Sequence, residues 1–134
     1  MLTHVEKRLC ESAITVRKNA YAPYSKFKVG VAILDELKNI HLGVNVENAA
    51  YPQGTCAEAG AISSMIASGG KKIKLIAISG SGSELCTPCG GCRQKIREFS
   101  ARKTPVLICD EEMFQKRFNL EALLPASFGP DNLF

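Results

Sequence analysis

The 134-residue sequence has no apolar run that approaches the length of a membrane-crossing helix, so the sequence indicates no membrane partner. It has no internal repeat, no low-complexity tract and no linker, and we therefore expect residues 1–134 to form a single domain. Its lysines and arginines form no basic stripe interleaved with aromatics, and the formal net charge is a mild +4. The charge pattern therefore gives no indication of nucleic-acid binding.

The N-terminal residues are acidic and polar where a signal peptide would have its apolar segment, which predicts a cytoplasmic protein. Because that compartment is reducing, clustered cysteines indicate metal binding or catalysis rather than disulfides. The six cysteines are Cys10, Cys56, Cys86, Cys89, Cys92 and Cys109. Cys10 and Cys109 lie in apolar patterns and are expected to be small core residues.

Two short segments carry the residues that are best suited to chemistry. Cys56 is followed two residues later by Glu58, and Pro88 opens a Pro-Cys-x-x-Cys sequence that contains Cys89 and Cys92. Three sulfur ligands leave a tetrahedral zinc with one open position, which a catalytic site needs. Glu58 is then free to act as a general acid/base on water that the zinc activates. This arrangement resembles the zinc deaminase signature, in which a first ligand, x and Glu precede Pro-Cys-x-x-Cys.

Cys86 leaves a second interpretation of the cysteines open. Together with Cys56, Cys89 and Cys92 it offers four sulfurs, enough for a closed zinc site or an iron–sulfur cluster in a non-catalytic module. This interpretation is less favoured because it leaves Glu58 without a role. Cys86 also precedes Pro88, outside the predicted helix start.

Hydrophobic periodicity predicts alternating helices and strands. Thr3 and Glu6 form a capping box at the start of a helix from 3 to about 20. The remaining predicted elements are strands at 27–34 and 40–47, a helix at 56–68, a strand at 73–78, a helix at 89–100 and a strand at 105–109. Cys56 would thus stand at the start of one helix, and Cys89 and Cys92 at the start of the other, where the partial positive charge should lower thiol pKa values.

The strand at 40–47 contains polar residues that allow more than one interpretation. Alternation places its apolar residues on one face and Asn45 with Glu47 on the other, and His41 is expected to be exposed. Asn45 and Glu47 could bind a pair of sugar hydroxyls, or they could be an ordinary solvated strand end. Residues 113–119 are compatible with a short strand or a helical turn, and 120–124 with one helical turn. Phe128 follows in an apolar loop that either plugs a groove or meets a neighbouring subunit.

The whole chain resembles the small homotetrameric zinc-dependent cytidine deaminases. The matching blocks are YAPYSKFKVG (21–30), GVNVENAAY (43–51), TCAE (55–58), PCGGCRQ (88–94), and LLP with SFGP (123–125 and 127–130). The resemblance implies an α/β fold with a mixed five-stranded sheet in three α/β/α layers, assembled as a tetramer with shared active sites. It also implies one zinc ion per chain. The implied reaction is hydrolytic deamination of cytidine and 2′-deoxycytidine to uridine and 2′-deoxyuridine plus ammonia, in pyrimidine salvage.

The same resemblance assigns roles to individual residues. Cys56, Cys89 and Cys92 bind zinc, and Glu58 is the proton shuttle. The substrate contacts it implies are Phe27 against the pyrimidine, Asn45 and Glu47 on the ribose hydroxyls, the Ala57 backbone on the base edge, and Phe128 lent by a neighbouring subunit.

One position departs from the family pattern. Many members with three cysteine ligands carry Arg directly after the catalytic Glu, where it offsets thiolate charge, and this chain has Ala59. Arg93, near the start of the second helix, is the candidate replacement. Blasticidin S deaminase, which acts on a nucleoside antibiotic, has a similar zinc core and is the alternative enzyme. Deaminases that edit polynucleotides generally use His as first ligand, where this chain has Cys56.

Overall fold

A mixed sheet of five strands forms the centre of the computed structural model, which describes residues 1–134. The strands are β1 (Val29–Asp35), β2 (Ile40–Val44), β3 (Ile73–Gly80), β4 (Pro105–Cys109) and β5 (Phe114–Asn119), and the helices are α1 (His4–Arg17), α2 (Ala57–Ala67), α3 (Gly90–Phe99) and α4 (Leu120–Leu123). Short 3-10 helices span Tyr51–Gln53 and Pro130–Asn132. The strand order is β2-β1-β3-β4-β5, and only the β3–β4 pair is parallel. No helix has the length and apolar character needed to cross a membrane.

The two faces of the sheet are covered by different helices, because successive strand side chains point to opposite faces. On one face, α1 buries Leu9, Cys10 and Ala13 against alternate residues of the central strands. On the other face, α2, α3 and α4 bury a larger cluster that includes Ala61, Ile96 and Leu120. The predicted three-layer α/β/α fold is therefore confirmed. The prediction that Cys10 and Cys109 are core residues is also confirmed, since both are buried.

Two strand glycines allow the helices to pack directly on the backbone of the sheet. A Cβ at Gly30 would collide with the Ala13 carbonyl and the Arg17 backbone of α1. A Cβ at Gly43 would collide with the Ala57 carbonyl and the backbone of Ala61, both in α2. The contact at Gly43 lies at the first turn of α2, so it fixes where that helix begins over β2.

Most predicted elements are present, with shifted ends. Thr3 and Glu6 form the predicted capping box of α1. This helix ends at Arg17, because the N–H groups of residues 18–20 bond to carbonyls three residues back and not four. β1 starts at Val29 rather than residue 27, since the Phe27 N–H donates to Ser25 Oγ and its carbonyl accepts from Asn45 Nδ2. β2 ends at Val44 rather than residue 47. Residues 114–119 form a strand, and 120–123 form the expected helical turn.

His41 contradicts the expectation that it is exposed, since only 6% of its surface is accessible. On the edge strand β2, His41 points toward the α2 side, whereas Leu42 on the opposite face is 42% exposed. His41 Nε2 lies 2.6 Å from Asp35 Oδ2, so a buried carboxylate compensates the buried imidazole. The other oxygen of Asp35 accepts from the N–H groups of Leu37 and Asn39 at 2.8 and 2.9 Å and closes the β1–β2 turn.

We expect Asp35→Asn to lower the free energy of unfolding by about 3 kcal/mol at pH 7, because the buried His41 loses its anionic partner. Urea denaturation of the two proteins measures the difference. Asp110→Asn is the matched control, since Asp110 also caps a turn, through the N–H groups of Glu112 and Met113, but without a buried partner. A smaller loss is expected there.

Because the Asp35 carboxyl group ionises, the free energy of unfolding should depend on pH. Burial raises the pKa of Asp35, but the bonds from His41, Asn39 and Leu37 outweigh burial and leave this pKa below its ordinary value. The stabilisation is therefore present above the unfolded-state pKa of about 3.9 and is lost as pH falls through the folded-state pKa. The variant should lack this acid-dependent component. Equal unfolding free energies for wild type and Asp35→Asn at pH 7 would contradict the account.

Candidate metal centre and active site

Three cysteine sulfurs meet where α2 and α3 begin. Cys56 is the N-cap of α2, Cys89 is the N-cap of α3, and Cys92 lies in the first turn of α3. The two helices pack side by side, and the three Sγ atoms all lie within 4.8 Å of one another. No other group of three or more His, Cys, Asp or Glu residues in the chain is arranged to share a metal ion. Three soft sulfur donors at this separation fit a zinc ion, whose bonds to sulfur are about 2.3 Å long.

The helix N-termini do not lower the pKa of all three thiols, as the sequence suggested. The N–H of Cys92 lowers the pKa of Cys89 as expected. Burial instead raises the pKa of Cys56. Burial, followed by the charges of Glu58 and Cys56, raises the pKa of Cys92. The prediction is wrong for these two thiols because removal from water outweighs the helix ends. Their ionisation on binding a cation would release protons.

Glu58 follows Cys56 by two residues and is almost fully buried, with 5% of its surface accessible. Burial raises the pKa of its carboxyl group, although its own backbone N–H, the Cys92 thiol and the charge of Lys95 each act in the opposite direction. A carboxyl group with a raised pKa, placed beside a metal-binding cluster, is suited to accept and return protons near neutral pH.

Cys86 stands apart from the three-sulfur cluster. Its side chain packs against the backbone at Gly80 and the edge of the larger core cluster. Burial raises the pKa of its thiol to about 11. The arrangement of the sulfurs therefore favours three ligands over the four-cysteine alternative.

Glu47 is held in place by the loop that precedes β1. Its Oε1 accepts from the N–H groups of Tyr24 and Ser25 at 2.9 and 3.1 Å, and its Oε2 accepts from the Ser25 hydroxyl at 2.5 Å. The Ser25 hydroxyl is the main reason that the pKa of Glu47 lies below its ordinary value. This carboxylate is ionised and fixed in orientation.

Asn45 is held by the same loop. Its Oδ1 accepts from the N–H of Val29, and its Nδ2 donates to the Phe27 carbonyl, both at 2.8 Å. The sequence pattern predicts only ligand binding or exposure for Asn45 and Glu47. Their anchoring of residues 24–29 leaves no periodic signal in the sequence, because the contact joins segments about twenty residues apart.

A cavity of about 380 Å³ opens beside Glu47. Its lining residues are Tyr24, Ser25, Glu47, Asn48, Tyr51 and Gly54. The three clustered cysteines and Glu58 do not line it, so the single chain brings the cavity and the metal cluster to neighbouring but separate positions.

The other three predicted contact residues occupy different places. Ala57 is buried in the first turn of α2, next to Glu58. The Phe27 ring is 41% exposed and lies 3.6 Å from the position that a Cβ on Gly80 would occupy. Phe128 is 58% exposed, and its carbonyl accepts from the Gln94 side chain of α3 at 3.0 Å.

Arg93 does not direct its donors at the sulfurs. Its Nε donates to the Pro88 carbonyl at 2.6 Å, one terminal nitrogen donates to the Leu123 carbonyl at 2.7 Å, and the other donates to the Thr87 hydroxyl at 3.1 Å. Arg93 therefore ties the segment before α3 to the end of α4. No local sequence pattern indicates this role.

Comparison with known proteins agrees with this geometry. Residues 3–108 match the family described as the cytidine and deoxycytidylate deaminase zinc-binding region. The cytidine deaminase of Sporosarcina psychrophila is 37% identical over 129 residues, which cover 96% of this chain and 94% of that protein. The cytidine deaminase of Mycoplasma genitalium is 38% identical over 112 residues, which cover 83% and 85% of the two chains.

A solved structure resembles the whole fold. The crystal structure of cytidine deaminase from Burkholderia pseudomallei has a TM-score of 0.86 and 36% sequence identity to this chain, and the match covers 95% of this chain and 100% of that one. The resemblance predicted from the sequence blocks is thus confirmed. From the family match, the relatives and the shared fold, this chain belongs to the zinc-binding cytidine and deoxycytidylate deaminase family.

Proposed function

We propose that this protein is a zinc-dependent cytidine deaminase of pyrimidine salvage. It hydrolyses cytidine and 2′-deoxycytidine to uridine and 2′-deoxyuridine and releases ammonia. The observation that carries the proposal is the meeting of three cysteine sulfurs within 4.8 Å of one another beside the buried Glu58. The activity named for the relatives from Sporosarcina psychrophila and Mycoplasma genitalium supports it.

Cys56, Cys89 and Cys92 hold one zinc ion per chain. Zinc held by these three residues would supply a Lewis acid that lowers the pKa of water to about 7. The thiolates of Cys89 and Cys92 come from the same helix start, and Cys56 comes from the other. The ligand set therefore depends on the packing of α2 against α3.

Glu58 is the general acid/base. It takes a proton from the attacking water and passes that proton to a ring nitrogen of the pyrimidine. It then takes the remaining proton from the hydroxyl newly bonded to the ring carbon and gives it to the amino group, which leaves as ammonia while the carbonyl of the product forms. Burial suits it to this work because it raises the carboxyl pKa toward neutral pH. The Ala57 backbone, one residue earlier at the helix start, meets the edge of the base.

Phe27 packs against the pyrimidine, and Asn45 and Glu47 bind the ribose hydroxyls. The Glu47 carboxylate already accepts three hydrogen bonds, from Tyr24 and Ser25, and has oxygen lone pairs left for a hydroxyl donor. Its fixed orientation lowers the entropy lost when a sugar binds. Asn45 anchors the segment that carries Phe27, so the sugar and base contacts are linked through one loop.

We also infer a homotetramer with shared active sites, in which Phe128 completes the site of a neighbour. The 58% exposure of this aromatic side chain in the single chain supports the inference. The protein works in the cytoplasm as one domain of residues 1–134, with no nucleic-acid or membrane partner.

Blasticidin S deamination is the rival activity, and a direct assay separates the two. Purified protein is incubated with cytidine, 2′-deoxycytidine or blasticidin S, and ammonia and the ultraviolet absorbance change are measured. We expect turnover of both plain nucleosides, because we assign Asn45 and Glu47 to the hydroxyls of the sugar. Turnover of blasticidin S alone would contradict this choice of substrate.

Glu58→Gln should retain zinc and lose turnover by about 10³-fold, because the amide keeps the shape of the side chain but cannot relay the proton. Metal analysis and the cytidine assay on the same sample measure the two effects. Glu98→Gln is the matched control on an exposed face of α3 and should behave as wild type. Near-normal turnover by Glu58→Gln would remove Glu58 from the mechanism.

Cys86→Ser should keep both zinc and activity, whereas Cys89→Ser should lose zinc. The reason is that Cys86 lies outside the cluster in which the other three sulfurs meet. Zinc content of the purified variants decides the matter. Loss of metal in Cys86→Ser would favour the four-cysteine module instead.

A further inference from the structure

The proposed zinc site carries negative charge that no side chain of α2 balances. Three thiolates around one divalent cation leave a net charge of −1, and the Glu58 carboxylate lies beside them. Charge removed from water is costly unless an opposite charge lies close by. The α2 sequence, AEAGAISSMIA, contains no lysine or arginine, and the residue after Glu58 is Ala59. A balancing cation must therefore come from another element.

Helix α3, which packs against α2, has three cationic side chains, and two of them are committed elsewhere. Arg93 donates to three oxygen atoms around Pro88 and α4. Arg97 donates from Nε to the Ser127 hydroxyl at 2.8 Å, and its guanidinium packs against Gly129. Lys95 makes no hydrogen bond or ion pair within the chain. It is the one α3 cation left for a further role.

The Lys95 side chain extends back along α3 toward the N-terminal turn that carries Cys92. Its Nζ lies 3.9 Å from the position that a Cβ on Gly91 would occupy, and Gly91 stands between Cys89 and Cys92 in the first turn of α3. Helical side chains lean toward the N-terminus of their helix, which brings the Lys95 ammonium to this end. Lys95 also follows Cys92 by three residues and so shares a face with it.

The groups around the three sulfurs are negative when they ionise, and the cations near them are Lys95 and Arg93. Cys56 and Glu58 face the cluster from α2, and Cys89 and Cys92 face it from α3. The Lys95 charge is close enough to act on Glu58, whose carboxyl pKa it lowers against the larger effect of burial.

We propose that Lys95 is a positioning cation that balances the thiolate charge of the Cys56–Cys89–Cys92 centre and strengthens its hold on the metal. The inference rests on the proposed zinc site. Because Lys95 is solvent-exposed, water and salt screen its charge, and its effect should be moderate at low ionic strength.

A charge series at position 95 tests the proposal. The dissociation constant of zinc is measured by competition with a chromophoric chelator, at low ionic strength, for wild type, Lys95→Arg, Lys95→Met and Lys95→Glu. We expect affinity near wild type for Lys95→Arg, about fivefold weaker binding for Lys95→Met, and about 25-fold weaker binding for Lys95→Glu. These differences should shrink in 0.5 M salt, where the Debye length is about 4 Å.

Lys74→Met and Lys74→Glu are the matched controls, since Lys74 is an exposed lysine near the start of β3, away from the Gly80 end that lies beside Phe27. They should bind zinc as wild type does. Urea denaturation in EDTA measures each metal-free variant, and we expect equal stabilities. If the Lys95 variants match the Lys74 variants in zinc affinity, the proposal is overturned. It is also overturned if Lys95→Arg binds as weakly as Lys95→Met, or if the loss follows metal-free stability.

The wild-type protein separates this inference from the proposed function. If wild type takes up no zinc, the metal centre itself is wrong and both fail. If wild type takes up zinc and the position-95 series shows no dependence on charge, only the role of Lys95 fails.

Discussion

The convergence of two helix N-termini on one point is the constraint on which the site depends. Cys56 and Cys89 cap α2 and α3, and their sulfurs converge with that of Cys92 to within 4.8 Å of one another. The helices meet there because α2 rests directly on the β2 backbone at Gly43 and both helices share one core cluster beneath. A side chain at position 43 would push away the turn that carries Cys56 and Glu58. Packing of the scaffold thus sets the spacing of the three sulfurs.

Polar side chains extend this rigidity to the loop that carries Phe27. Glu47 and Asn45 bind the backbone of residues 24–29, which places Phe27 beside the end of β3. Arg93 ties the segment before α3 to the end of α4 through the Pro88 and Leu123 carbonyls. These side chains hold the loops in place through hydrogen bonds to the loop backbone. A site built in this way is organised before a nucleoside binds and needs less ordering when it does.

The sequence was sufficient for features that depend on local periodicity or spacing. The Thr3–Glu6 capping box, the strand at 105–109 and the two helices that begin beside Cys56 and Cys89 were all predicted from neighbouring residues. His41 was predicted wrongly because alternation identifies apolar positions, and it cannot show that Asp35 across the turn compensates a buried imidazole. The thiol pKa values of Cys56 and Cys92 depend on burial by the assembled fold, which no local pattern reveals. Long-range contacts therefore account for what the sequence left open.

The central claim is that three thiolates of this chain hold one zinc ion and leave its fourth coordination position to an oxygen or nitrogen atom. X-ray absorption at the zinc K-edge of the purified protein tests it most directly, because it counts ligands by type and distance. We predict three sulfurs at about 2.3 Å and one oxygen or nitrogen at about 2.0 Å. A shell of four sulfurs would show a closed site and contradict the account.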